Sequence, residues 1–232
     1  MLIALLVFAF LLGSIPFGVI ICRAKGVDIF SVGSGNIGAT NVVRAVGPVL
    51  GGLVLLLDVS KGLIPGLVAH FTMNEGPFGL QAQAWSFVLG CVAIFGHMFS
   101  PWIKFKGGKG IATGLGAMLS SIPLTGLAAF IVFTIVTSTS RFVSLGSIIA
   151  AISAIPLSIF LTHDSPQVLP ILILFNFVVI YKHRSNITRI LNGTESKFRF
   201  RKNDDPEPTI EEPNNPEPES KIKERNDDEK RH

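Results

Sequence analysis

The sequence predicts an all-α integral membrane protein, a seven-helix bundle with short or broken helices and a disordered cytoplasmic C-terminal tail. Three observations point there. Mean hydropathy is +0.52, with 48% hydrophobic residues against 16% charged, whereas a soluble domain is about a quarter charged. Long apolar runs recur along the chain. Lys and Arg gather in alternate connections between those runs, as they do in multi-spanning membrane proteins.

A membrane-crossing helix needs about 20 mostly apolar residues, fewer where neighbours shelter it. Leu2 to Ile21 is the first run. It has no basic leader and no Ala-x-Ala site after it, so it reads as a retained span and not a cleaved signal. Further runs cover Val49 to Phe71, Ala82 to Phe99, Ile111 to Thr137, Val143 to Leu161 and Val168 to Tyr181. Arg23, Lys25 and Arg44 follow the first run, Lys104, Lys106 and Lys109 the third, and Lys182, Arg184 and Arg189 the last. The connections 72–80 and 162–167 have neither Lys nor Arg. Positive loops stay cytoplasmic, so the N-terminus is expected outside and the C-terminus inside, which demands an odd number of crossings. Six runs are even. The stretch from Gly110 to Ser140 is long for one span and contains Ser120, Ser121 and Pro123, which suit a turn. It is therefore expected to cross twice, hinged near Pro123, giving seven helices. Five spans with one re-entrant segment satisfy parity equally well.

Residues 1–196 hold 11 basic and 5 acidic side chains, and Lys197 to His232 hold 9 and 11. A basic body suits nucleic acid or anionic lipid, and the apolar runs select the lipid bilayer, with no nucleic-acid partner. From about Asn203 the chain is charged, punctuated by Pro206, Pro208, Pro213 and Pro216, and too poor in apolar residues to fold. The division expected is a membrane-embedded domain over 1–198 and a disordered charged tail over 199–232. Cys22 and Cys91 form no CxxC pattern and read as small buried hydrophobes.

Two loops and a helix end carry chemistry. In the first loop Gly33, Gly35 and Gly38 permit close backbone approach to a ligand. Ser34, Asn36, Thr40 and Asn41 offer hydroxyl and amide groups, and Arg44 offers a bidentate clamp for phosphate or carboxylate. Asn36 or Thr40 can cap a following helix whose amides attract an anion. A polar interfacial turn with a topology-setting Arg44 is the plainer alternative. In the second loop Gly107, Gly108 and Gly110 bracket Lys109 just before an apolar helix that opens with Thr113 in its first turn, and Lys104 lies upstream. Backbone amides with a lysine at a helix start make a phosphate cradle, although no Walker A ending follows. Contact with lipid headgroups is the alternative there. His97 stands at the edge of this loop. Asp58 and Lys61 share one helix face inside the second run, either as a structural ion pair or as a site pair. Ser144 starts a later span, and His183, Asn186, Arg189 and Glu195 cluster at the end of the last.

Ser34-Gly-Asn-Ile-Gly-Ala-Thr-Asn41 with Arg44, then Gly96-His97 leading to Phe105-Lys-Gly-Gly-Lys-Gly-Ile-Ala-Thr113, then Asn186-Ile-Thr-Arg189 with Gly193 and Glu195, resemble the three signature motifs of the bacterial acyl-phosphate-dependent glycerol-3-phosphate acyltransferase (PlsY) family. Gly13-Ser-Ile-Pro-Phe-Gly18, Asp58 with Lys61-Gly62, and Ser144-Leu145 also look like family features. The resemblance spans about Gly13 to Phe198. It implies transfer of a fatty acyl group from acyl phosphate to the 1-hydroxyl of glycerol 3-phosphate, giving lysophosphatidate and phosphate at the first step of phospholipid synthesis. It further implies a seven-helix fold in the bacterial inner membrane, an active site on the cytoplasmic side, no metal and no cofactor, and the enzyme that supplies acyl phosphate as a candidate partner. By carry-over Ser34 and Arg44 are essential to catalysis, and His97 and Asn186 support it. Gly35, Asn36, Thr40, Asn41, Lys104, Gly107, Gly108, Lys109 and Thr113 bind substrate or phosphate. Asp58, Lys61 and Ser144 are supporting residues, and Glu195 holds structure.

The residues suit that chemistry. Both substrates are phosphorylated, and Arg44, Lys104, Lys109 and amide nests compensate several negative charges. No HxxxxD pair is encoded: Trp102 follows His97 at that spacing and Thr188 follows His183. A membrane transporter or channel for an organic anion is the competing reading, favoured by the intramembrane Asp58 and Lys61. It is disfavoured by the lack of repeated halves and by the gathering of polar residues at one face.

Overall fold

The computed structural model describes residues 1–73, 76–161 and 166–198. Met1–Phe198 form one compact unit, and the tail expected over 199–232 lies outside the described residues. Every regular element among the described residues is helical: α1 (Leu2–Ser14), α2 (Phe17–Ala24), α3 (Ala39–Val46), α4 (Pro48–Thr72), α5 (Ala82–Met98), α6 (Ile111–Ser121), α7 (Pro123–Ser140), α8 (Val143–Leu161), α9 (Val168–Lys182) and α10 (Arg184–Leu191), with short 3-10 turns between some of them.

The first apolar run is a broken helix, because Ile15 is extended and Pro16 has no N–H to continue the ladder. The break is pinned from α5's far end: Ser100 Oγ donates to Ser14 O at 2.6 Å, and Trp102 Nε1 donates to Ser14 Oγ at 2.9 Å. The stretch expected to cross twice is indeed divided, with α6 ending at Ser121 and α7 starting at Pro123. Proline suits that first helical position because its missing N–H would be unpaired there anyway. At 11 residues, α6 is about 16 Å long and cannot cross a hydrocarbon core of about 30 Å alone.

Among the described residues five segments are long and apolar enough to span a membrane: Leu2–Ala24, Pro48–Thr72, Ala82–Ile103, Pro123–Ser140 and Val143–Leu161. The pair α9–α10, bent by 56°, passes the same test when its two helices are taken together as one broken span. The short apolar α6 is a further apolar segment beside these, too short to span by itself. Packing shelters α6 on two sides, against α4 and α5. Glycine permits the closest of these approaches: a Cβ on Gly62 would lie 2.0 Å from Thr113 O, and one on Gly116 would lie 1.9 Å from Val59 O. The large apolar side chains exposed around α1, α4, α7 and α9 would make a poor soluble surface and suit lipid tails.

Candidate active site

The first loop is organised by Asn41, buried in the first turn of α3. Its Oδ1 accepts from Ser34 N at 3.2 Å, and its Nδ2 donates to Ile29 O at 3.2 Å and Val32 O at 2.9 Å. One amide thus shapes the loop and presents Ser34. Gly35 turns the chain with φ +65°, a region open to glycine and strained for other residues. Neither Asn36 nor Thr40 is the helix cap that sequence spacing suggested. Gly38 occupies that position, and Asn36 Oδ1 accepts its N–H at 2.9 Å, closing a local turn. Thr40 lies one residue inside α3. Arg44, exposed on α3, donates through Nη2 to Ser196 O at 3.4 Å.

The second loop runs from Ser100 to Gly110 and carries two left-handed residues, Lys104 (φ 52°) and Phe105 (φ 61°), a strain that persists only where the surroundings over-determine it. Gly108 N donates to His97 O at 3.1 Å, so that amide is already committed within the protein. Lys109 Nζ donates to Asn186 Oδ1. Asn186 in turn donates to Glu195 Oε1 at 2.7 Å, Ser144 Oγ donates to the same oxygen at 2.6 Å, and Arg189 Nε donates to Oε2 at 2.7 Å. The second loop, α8 and α10 are therefore tied through one carboxylate. Burial lowers the Lys109 pKa to about 8, with the charges of Arg189 and Arg44 adding to that and Glu195 opposing it. Burial pushes Glu195 up, but its hydrogen bonds from Ser144, Asn186 and Arg189 outweigh burial and leave it below the ordinary carboxylate value.

Between these segments lies a cavity of about 230 Å³. The first loop contributes Phe30, Ser34, Gly35 and Asn36, the second Lys106, Gly107 and Lys109, and α10 contributes Ser185 and Arg189. Segments remote in sequence thus open on one pocket, at one end of the bundle, with three basic side chains in its wall. Lys106, Ser185 and Phe30 were not singled out as site residues, and Arg189 was named only as a member of the cluster and motif at the last helix end. Lys106 and Arg189 carried a signal in their charge, whereas Ser185 and Phe30 carried none. Lys104 is exposed and does not line the cavity, and Thr113 is buried with an Oγ1 that has no hydrogen-bond partner.

His97 lies away from the cavity, packed with Asp58 and Lys61 inside the bundle. Lys61 Nζ donates to Asp58 Oδ1 at 2.6 Å and stands 3.4 Å from His97 Nδ1, and the ring of Phe17 covers Lys61 Nζ at 4.7 Å.

A family model described as glycerol-3-phosphate acyltransferase matches residues 3–193. A relative of that description from Trichlorobacter lovleyi is 48% identical over 191 residues, which cover 82% of this chain and 94% of the relative. Two crystal structures of PlsY, an integral membrane glycerol 3-phosphate acyltransferase, are 41% identical over 85% of this chain and 95% of theirs. The glycerol 3-phosphate form superposes with a TM-score of 0.78 and the lysophosphatidic acid form with 0.76.

Proposed function

Since this chain belongs to the glycerol-3-phosphate acyltransferase family, and is accordingly a multi-pass membrane acyltransferase, we propose that its acyl donor is acyl phosphate and that the cavity between the two loops and α10 is where transfer occurs. One observation carries the placement: Ser34, Lys109 and Arg189, from three separate parts of the chain, line the same 230 Å³ cavity. A phosphorylated donor and a phosphorylated acceptor bring several negative charges together. Lys106, Lys109 and Arg189 in the wall, with Arg44 alongside, offset that repulsion.

In the proposed step the 1-hydroxyl oxygen of glycerol 3-phosphate attacks the carbonyl carbon of acyl phosphate. A new ester C–O bond forms, the bond from that carbon to the phosphate oxygen breaks, and phosphate leaves with the electron pair. The hydroxyl proton passes to a phosphate oxygen. Acyl phosphate is already activated, so the chain's task is to bind, orient and neutralise charge. Ser34 orients one substrate, and Lys109 and Arg44 hold phosphate. Asn186 and Glu195 keep Lys109 and Arg189 in place. The site faces the cytoplasm of a bacterial inner membrane, with the N-terminus outside.

Phosphate release from acyl phosphate by the purified protein, with and without glycerol 3-phosphate, tests the reading. Release is expected only with the acceptor. Release that ignores the acceptor sinks it, and a covalent acyl group trapped on Ser34 during turnover sinks direct transfer. The buried Asp58–Lys61 pair, which favoured a transporter, is internally neutralised and does not line this cavity.

A further inference from the structure

Asp58, Lys61 and His97 are at most 5% exposed, and none of them lines the cavity. Ionisable groups at such depth are costly and mark function, yet these three stand apart from the cavity wall. What His97 does touch is the glycine–lysine loop. A Cβ on Gly108 would lie 2.1 Å from His97 Nε2, and one on Gly107 would lie 2.1 Å from His97 O. Gly108 N also donates to His97 O. The loop rests directly on this residue, and Lys109 is the next position.

On the opposite edge of the ring, Lys61 Nζ stands 3.4 Å from Nδ1, and Asp58 Oδ1 lies 3.7 Å from the same nitrogen. A lysine ammonium has only protons to offer, so Nδ1 accepts and Nε2 carries the ring proton. With Lys61 held by Asp58 and covered by Phe17, the imidazole has one orientation, and that orientation leaves room for a residue without a side chain at position 108.

We propose that the buried Asp58–Lys61 pair positions the phosphate-binding loop through His97, which is a positioning residue and not one that touches substrate. A turn of the ring displaces Gly107 and Gly108 and carries Lys109 away from Asn186. The inference rests on the reading of this loop as a binder of substrate phosphate.

The test is a double-variant cycle on the full chain in detergent, reading kcat and the KM for glycerol 3-phosphate separately. Gly108→Ala drives a methyl group into the ring and raises KM about tenfold, the size of effect that support of a ligating residue carries. His97→Ala raises KM similarly and vacates that space, so adding Gly108→Ala on top changes KM less than about twofold. Asp58→Asn with Lys61→Met removes both charges together, leaves no unpaired ion behind, and also raises KM. That pair carries the test if His97→Ala does not fold. Equal factors for Gly108→Ala with and without His97 overturn the inference. So does an unchanged KM in the charge-pair variant, or a loss of kcat at unchanged KM for His97→Ala. Lys109→Met separates the two levels. If it leaves KM unmoved, the phosphate-binding reading falls and takes this inference with it. If it raises KM while the cycle is additive, only the positioning role falls.

Discussion

Asn186 donates to Glu195 Oε1 at 2.7 Å while its own Oδ1 accepts from Lys109. It therefore links Lys109, a cation in the cavity wall, to the carboxylate that ties α8 to α10. Asn186→Ala strips both contacts at once. The expected result is a KM for glycerol 3-phosphate raised about tenfold or more and a loss of about 1–3 kcal/mol of stability from the unsatisfied buried groups. Asn186→Asp places a second negative charge against Glu195 and is expected to be worse. Steady-state kinetics and thermal unfolding in detergent check both.

Glu195 accepts from Ser144, Asn186 and Arg189. Burial alone would raise its pKa, and those hydrogen bonds hold it below the ordinary value. A carboxyl group whose pKa is depressed on folding stabilises above its unfolded value, about 4.3, and that stability is lost as pH falls through the lower folded value. Wild-type thermal stability is therefore expected to fall on acidification below about pH 4.5, and Glu195→Gln to be less stable at neutral pH with a shallower acid loss. An equal acid slope in the two proteins would contradict the assignment.

Lys109, lowered to about 8 chiefly by burial, is a cation below that pH and neutral above it. If its charge holds substrate phosphate, KM for glycerol 3-phosphate rises as pH passes upward through about 8. Lys109→Arg, whose guanidinium stays charged, is expected to flatten that alkaline limb. Measuring KM across neutral to mildly alkaline pH distinguishes the two profiles.

In the proposed orientation both loops and the C-terminus lie on the cytoplasmic side, where positively charged loops stay. A reporter enzyme active only in the cytoplasm is expected to work at the C-terminus and fail at the N-terminus. The reverse pattern would invert the orientation proposed for the site.

Much of this was legible in the chain. Hydrophobicity is additive along a helix, so the apolar runs announced their spans, and α8 was read to its observed limits, Val143–Leu161. Pro123 divided α6 from α7 because a missing N–H acts locally. The break at Pro16 was of the same kind and was overlooked, hidden inside an otherwise unbroken apolar run. Motif residues Ser34, Lys109 and Asn186 stood out because small, basic and amide side chains seldom crowd together at a membrane edge.

By itself the sequence determined the membrane class, the helical composition and the family, since each follows from residue identity and short-range spacing. Tertiary structure alone decided which of the singled-out residues face the cavity. It brought Ser185 and Arg189 into the wall through the 56° bend between α9 and α10, and it turned His97 away from the cavity toward Lys61. The reason is physical: these placements depend on helices approaching as closely as Gly62 and Thr113 do, a fit between surfaces distant in the chain that no local pattern encodes.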